Sequence, residues 1–217
     1  MRLLMLAGLV LGSSIQALAQ FSYSEDFKNS TAAGWVLDPA GNSTPAPILT
    51  SGATGRTGDP EGVGNTIDPS GAGWLRLTND STNQHNAVYF DTPVPSAGNS
   101  VTINFGMNLW GGNDYNNTGA DGLTFFFYDA SKEFQVGARG GALGYAQMDA
   151  VGGTILHDGL NGGWVGIAFD PYGNFSTGGV VNDPNNNITE GKLGGLLTLQ
   201  PNTVAVRGPG QGLDGYD

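Results

Sequence analysis

Three polar signatures, each attached to an apolar run, carry the residue types in this chain that could do chemistry: Ala120-Asp121-Gly122, Gly140-Gly141-Ala142-Leu143-Gly144 and Phe169-Asp170-Pro171-Tyr172-Gly173-Asn174. A carboxylate, a glycine backbone amide and a side-chain amide make a donor and acceptor set suited to a ring of sugar hydroxyls, which both give and take hydrogen bonds. No nucleophile and no acid/base pair stands among them. In the third signature Asp170, Tyr172 and Asn174 fall at every second position as an apolar run ends, so their side chains tend toward one side. Their carboxylate, backbone carbonyl and amide oxygens are hard ligands of the kind Ca²⁺ selects. The same residue types are also ordinary turn formers, and Asp121 before Gly122 reads equally well as a plain turn residue.

The elements that must position these loops are strands. Leu123 to Tyr128 and Trp164 to Phe169 are nearly continuous apolar runs, expected of central strands covered on both faces. Val101 to Leu109 alternates apolar with small or polar residues, the pattern of a strand with one buried face. Trp74 to Thr78 and Thr203 to Arg207 are shorter examples. No stretch of about 11 or more residues has the period of an amphipathic helix. Long tracts rich in Gly, Asn, Ser, Thr and Pro separate the runs, notably Asp38 to Pro69 and Ser176 to Gly195. Alone they resemble disordered chain; strands interleaved at fairly regular spacing argue for a sandwich with large loops. The cluster Asn182-Asp183-Pro184-Asn185-Asn186-Asn187 is a turn whose oxygens could also reach a hard cation.

Composition narrows the function classes. The chain has 217 residues, a formal net charge of -11, 37 Gly and no Cys, and a pI near 4.2. Phosphate backbones and anionic membrane surfaces repel such a chain, so nucleic acid is not an expected partner. Neutral glycans and divalent cations suit it better. One domain with a sizeable core is expected at this length, and without cysteine that core cannot lean on disulfides.

Residues 1–19 read as an export signal. Met1-Arg2 is a small positive start, Leu3 to Val10 is apolar, and Ala17-Leu18-Ala19 has the small-x-small form of a cleavage site. The apolar run is shorter than the ~20 residues a membrane span needs, so membrane insertion is not expected and residues 20–217 form the exported domain.

In order and chemistry the three signatures resemble the legume-type (L-type) lectin family, with a composition similar to its exported bacterial members. There an Ala-Asp-Gly turn leads into an apolar strand, a Gly-Gly-x-Leu-Gly loop follows, and a strand ending in Phe-Asp-x-aromatic-x-Asn completes the site. The likeness is strongest from about Gly119 to Asn174. It implies an antiparallel β-sandwich of the jelly-roll kind. It also implies a sugar site in which Asp121 accepts from two hydroxyls, Gly141 donates from its backbone and Asn174 donates from its amide. Tyr172 would offer its ring to the sugar and its carbonyl to Ca²⁺; the residue-level alternative is a half-buried loop aromatic. The bond before the Asp is typically cis in the family, which here means Ala120-Asp121. Weak single sites imply multivalency, with self-association as one route to it.

Several positions depart from the family pattern. Its usual two-metal site has a Glu where this chain has Ala168, a second Asp near Gly178, and a downstream His with no counterpart here. The only histidines are His85 and His157, and His157 reads as a loop residue, so no transition metal is expected. A Ca²⁺ site would draw on Asp170, Tyr172 and Asn174, with Asp183 or Asn182 replacing the lost carboxylate; otherwise Asp170 and Asn174 hold the loop by hydrogen bonds alone. The family also continues with further strands, so the resemblance implies a sandwich incomplete at its C-terminal end.

Catalysis and a structural role are the alternatives to binding. Glycoside hydrolysis uses two carboxyl groups flanking the scissile bond. Sandwich hydrolases commonly place them two residues apart on one strand, but two residues after Glu25, Glu61, Glu133 and Glu190 stand Phe27, Val63, Gln135 and Lys192. Gly-x-Ser-x-Gly is absent as well. The expectation is a non-enzymatic glycan-binding module for adhesion or capture, with a surface domain that has lost its sugar site as the alternative.

Overall fold

β-Branched and aromatic residues between Gly- and Pro-rich turns give strands here. In chain order these are Trp35–Leu37 (β1), Ile48–Leu49 (β2), Leu75–Arg76 (β3), Val88–Phe90 (β4), Leu123–Tyr128 (β5), Met148–Ala150 (β6), Gly163–Asp170 (β7), Ile188–Glu190 (β8), Thr203–Arg207 (β9), Gly210–Gln211 (β10) and Asp214–Gly215 (β11). The computed structural model describes residues 21–37, 46–52, 67–79, 84–96, 100–109, 119–150, 157–177, 188–190 and 199–216. Among them the sole helix is a single 3₁₀ turn, Gly140–Ala142. No helix among the described residues is long and apolar enough to cross a membrane. The expected leader and Asp183 lie outside the described residues.

The main sheet is antiparallel and centred on β7. β5 pairs along one edge, from Leu123 opposite Phe169 to Tyr128 opposite Gly163. β9 takes the other edge, from Asp170 opposite Thr203 to Gly166 opposite Arg207. β10 continues that edge where Gly210 faces Gly163, and turns back through Gly212-Leu213 into β11. Three two-stranded antiparallel ladders accompany the sheet: β1 with β4, β2 with β3, and β6 with β8. The fold is therefore nearly all-β and compatible with a sandwich.

The core lies on one face of this sheet. Gly163, Gly166, Ala168 and Asp170 of β7 are buried there, and small residues leave room for large ones arriving from loops. Tyr145, Tyr216, Phe175 and Leu160 are fully buried. A Cβ on Gly166 would stand 2.6 Å from the Tyr145 ring, so that glycine is the space the tyrosine occupies. The Tyr145 hydroxyl donates to the Gly208 carbonyl at 2.8 Å, and the Tyr216 hydroxyl to the Leu160 carbonyl at 2.8 Å. Both buried hydroxyls are thereby satisfied, as buried polar groups must be.

The opposite face differs from the sequence expectation. Leu123, Phe125 and Phe127 of β5 align with Phe169, Ile167 and Val165 of β7, and Val204 and Val206 of β9 continue the apolar surface. These two valines are 63% and 64% exposed, so among the described residues the outer face is open at β9. Val101 to Leu109, expected to form a strand, makes no ladder. Its alternate apolar side chains stay exposed, with Phe105 stacked on Phe125 at 5.6 Å and edge-on to Phe169 at 5.7 Å. Periodicity supplied the apolar stripe but no hydrogen-bonding partner strand. The Trp74 to Thr78 run likewise shortens to Leu75–Arg76.

Candidate functional site

The end of β7 carries the third signature into a loop whose shape Asp170 sets. Its carboxylate is buried and accepts the Gly173 amide at 2.6 Å and the Phe175 amide at 2.7 Å, with the Tyr172 amide as a further donor. A short acceptor bonded to several successive N–H groups folds the backbone around itself. Gly173 has φ +96°, and a Cβ there would run into the Gln200-Pro201 backbone, so this turn has room only for glycine. Pro201 follows Gln200, whose amide donates to the Gly173 carbonyl at 2.8 Å.

The other two signatures converge on this loop. The register of Leu123 opposite Phe169 carries Ala120-Asp121-Gly122 past the same sheet end. A Cβ on Gly122 would clash with the Phe169 carbonyl and crowd Pro171 and Leu143. The Ala120–Asp121 peptide bond is cis, as the family resemblance implies. Gly140 to Gly144 is closed on itself by Gly137 N–H to Gly144 O and Gly144 N–H to Ala138 O, 2.7 and 2.8 Å. Gly141 is buried in the 3₁₀ turn, where first-turn amides have no intrahelical acceptor. A ring nitrogen of His85 hydrogen-bonds the Gly137 carbonyl at the base of this loop; burial lowers the His85 pKa, and His157 and Arg139 nearby act in the same direction.

At the centre, the Asn174 side-chain amide stands near the Asp121 carboxylate and favours its charged form. Burial and then the charge of Asp170 push the Asp121 carboxyl above its ordinary value, and the Asn174 amide opposes them. Burial also raises Asp170, against the pull of its three backbone donors. Two carboxylates therefore share one partly desolvated site. Asn174 is 7% exposed, and its Oδ1 is buried with no hydrogen-bond partner. An unpaired buried amide oxygen costs about 1–3 kcal/mol. A cation at this end of β7 would offset the like charges of Asp121 and Asp170.

These donors fit a hard cation in part. Asp170 and Asn174 offer oxygens and Tyr172 a carbonyl, fewer than the 6–8 oxygens, roughly, that Ca²⁺ takes. Ala168, at the position of the family's Glu, is buried in the core. Among the described residues no three His, Cys, Asp or Glu side chains gather as a metal site. The expected residues thus fall as follows: Asp121, Asn174 and Asp170 are brought together, Tyr172 is half-buried on the same loop, and the Gly141 turn packs alongside through Leu143.

Sequence reading missed Arg207 and Phe175. The buried Arg207 donates from Nε to the Phe175 carbonyl at 2.8 Å, from Nη2 to Thr177 at 3.1 Å and from Nη1 to Tyr216 at 2.7 Å. Its guanidinium lies 5.0 Å over the Phe175 ring. The available signal was the alternation Thr203, Ala205, Arg207, which places a cation on the same face as Ala168 and Asp170. Comparison of the chain with family models, with curated proteins and with solved structures returns no match.

Proposed function

We propose that this chain is an exported, non-enzymatic module that binds neutral glycans through Asp121, Gly141 and Asn174. The observation that carries the reading is the convergence of the Asp121 carboxylate with the Asn174 amide, whose Oδ1 is buried without a hydrogen-bond partner. There an ionised acceptor stands beside an amide that has acceptor capacity to spare, at a loop end reached by all three signatures. Sugar hydroxyls donate to Asp121 and accept from Asn174 and from the Gly141 amide, and Tyr172 lies against the apolar face of the ring. When bound, Ca²⁺ would hold the Asp170 carboxylate, the Tyr172 carbonyl and Asn174 Oδ1, screening the two carboxylates and fixing the amide. The legume-type lectin resemblance supports the same assignment. Hydrogen bonds to a charged acceptor contribute about 1.5–3 kcal/mol net, so one site is weak and clustered presentation strengthens it.

A second reading, a surface domain without sugar affinity, is favoured by one fact: Asp170 already accepts backbone amides on both carboxylate oxygens and orders the loop unaided. A glycan array probed with the full chain, with and without chelator and beside Asp121→Ala, separates the two. Glycan binding that chelation and Asp121→Ala each weaken is the expected result. Binding undiminished in Asp121→Ala, or no binding to any glycan, overturns the proposed site.

A further inference from the structure

We infer a second sugar-binding platform at the opposite end of β7, built on Trp164 and independent of the Asp121 site. Between Phe127 and Tyr128 the β5–β7 register slips, with Phe127 opposite Val165 and Tyr128 opposite Gly163. Trp164 is the extra residue of this bulge, a device that re-aims a side chain. The result is an indole 58% exposed on the central strand of the main sheet. It borders a shallow, largely solvent-open depression together with Asp129, Lys132, Pro209, Gln211 and Asp214.

The rim of this depression is preformed. Gln211 accepts the Gly162 amide on Oε1 at 3.1 Å and donates from Nε2 to Asn161 Oδ1 at 2.6 Å, so its side chain is locked. Asp129 is held at both ends, its amide on the Gly162 carbonyl at 2.8 Å and its Oδ1 on the Ser131 amide at 2.9 Å. Gly162 has φ +68°, and a Cβ there would meet Lys132 Cγ at 2.9 Å, so the lysine stem lies against bare backbone. A flat apolar ring bordered by two carboxylates, an ammonium and an amide matches a pyranose, with one C–H face and a rim of hydroxyls. The rim's acidic excess and the chain charge of -11 disfavour anionic ligands, which selects neutral sugars.

The eight residues of β7 separate the two sites by roughly 23 Å at the usual strand rise, so one molecule could engage two sugars of an extended glycan. The two readings fail separately, because no residue is shared. The test follows the Trp164 indole N–H resonance in the full chain, identified by its loss in Trp164→Phe. The chain is titrated with methyl glycosides of glucose, galactose and mannose and with their linear trisaccharides. A saturable shift of that resonance, retained in Asp121→Ala, is expected. Calorimetry on Asp121→Ala should show an affinity about 10-fold weaker once Trp164→Ala is added, with Trp164→Phe intermediate. Trp164 is exposed, so melting temperatures of the variants should match the parent's. No saturable shift with any of these sugars, a shift that follows protein concentration instead, or affinity unchanged by Trp164→Ala overturns the inference.

Discussion

The two faces of the β5–β7–β9 sheet follow opposite rules. On the buried face β7 contributes Gly163, Gly166, Ala168 and Asp170, and the bulk comes from loops as Tyr145, Phe175 and Tyr216. On the outer face the strands contribute the bulk themselves, and Val204 and Val206 remain nearly two-thirds exposed. Close packing depends on complementary size rather than on strand hydrophobicity. The face that reads as weaker in sequence is therefore the one that holds the molecule together. It also places Asp170 where a carboxylate is buried and must be fully bonded.

That contrast breaks first at Tyr145. Tyr145→Ala should cost about 3–5 kcal/mol, the range for deleting a large buried aromatic, read as a drop in urea midpoint; a loss below ~1 kcal/mol would show that loops, not this ring, fill the face. Asp170→Asn comes next. It replaces an ionised acceptor facing backbone amides, worth about 1.5–3 kcal/mol, and should cost stability of that order together with glycan binding. Retention of both would remove Asp170 from the account of the loop.

Asp121 sharpens the comparison through pH. Its carboxyl is raised above the ordinary 3.8, so the folded state holds this proton more tightly than the unfolded chain. The contribution of Asp121 to stability is accordingly greatest below pH 3.8 and declines as pH rises from there through the raised folded value. Asp121→Asn should flatten that decline in denaturation curves taken across the window, and an unchanged slope would contradict the burial of Asp121 beside Asp170. Glycan binding by the parent runs the other way, weakening as acid protonates Asp121. The smallest effect belongs to the outer face, where Val204→Thr with Val206→Thr should change stability by no more than ~0.5 kcal/mol. A larger loss would mean that this face is covered in solution.

Much of this was legible because apolar runs bounded by glycine and proline are a direct record of strands. Leu123 to Tyr128, Trp164 to Phe169 and Thr203 to Arg207 all form strands, with β7 central as read and β5 at the end of the described sheet instead. The convergence of Asp121 with Asn174 was legible from the order of the signatures, since antiparallel pairing of the two central runs brings their ends together. What stayed hidden depends on contacts far apart in sequence. Tyr145 and Tyr216 look like loop aromatics, and only the glycines facing them, Gly166 for one and Gly159 and Gly210 for the other, reveal core positions. The bulge at Trp164 is a slip of register that hydropathy does not encode. Val101 to Leu109 shows the converse: alternation describes a stripe, and a strand exists only where another backbone answers it.

Arg207 joins pieces that the strand order keeps separate. One guanidinium binds the carbonyls of Phe175 and Thr177 in the loop beyond Asp170 and that of Tyr216 beside the β10–β11 hairpin. Opening either segment strips the same buried cation of part of its shell, so the two should exchange their amide hydrogens with a single protection energy, as one cooperative unit. The loop bearing Asn174 would then be as rigid as the far hairpin allows, and loosening that hairpin would be felt as lost order at the site without touching it.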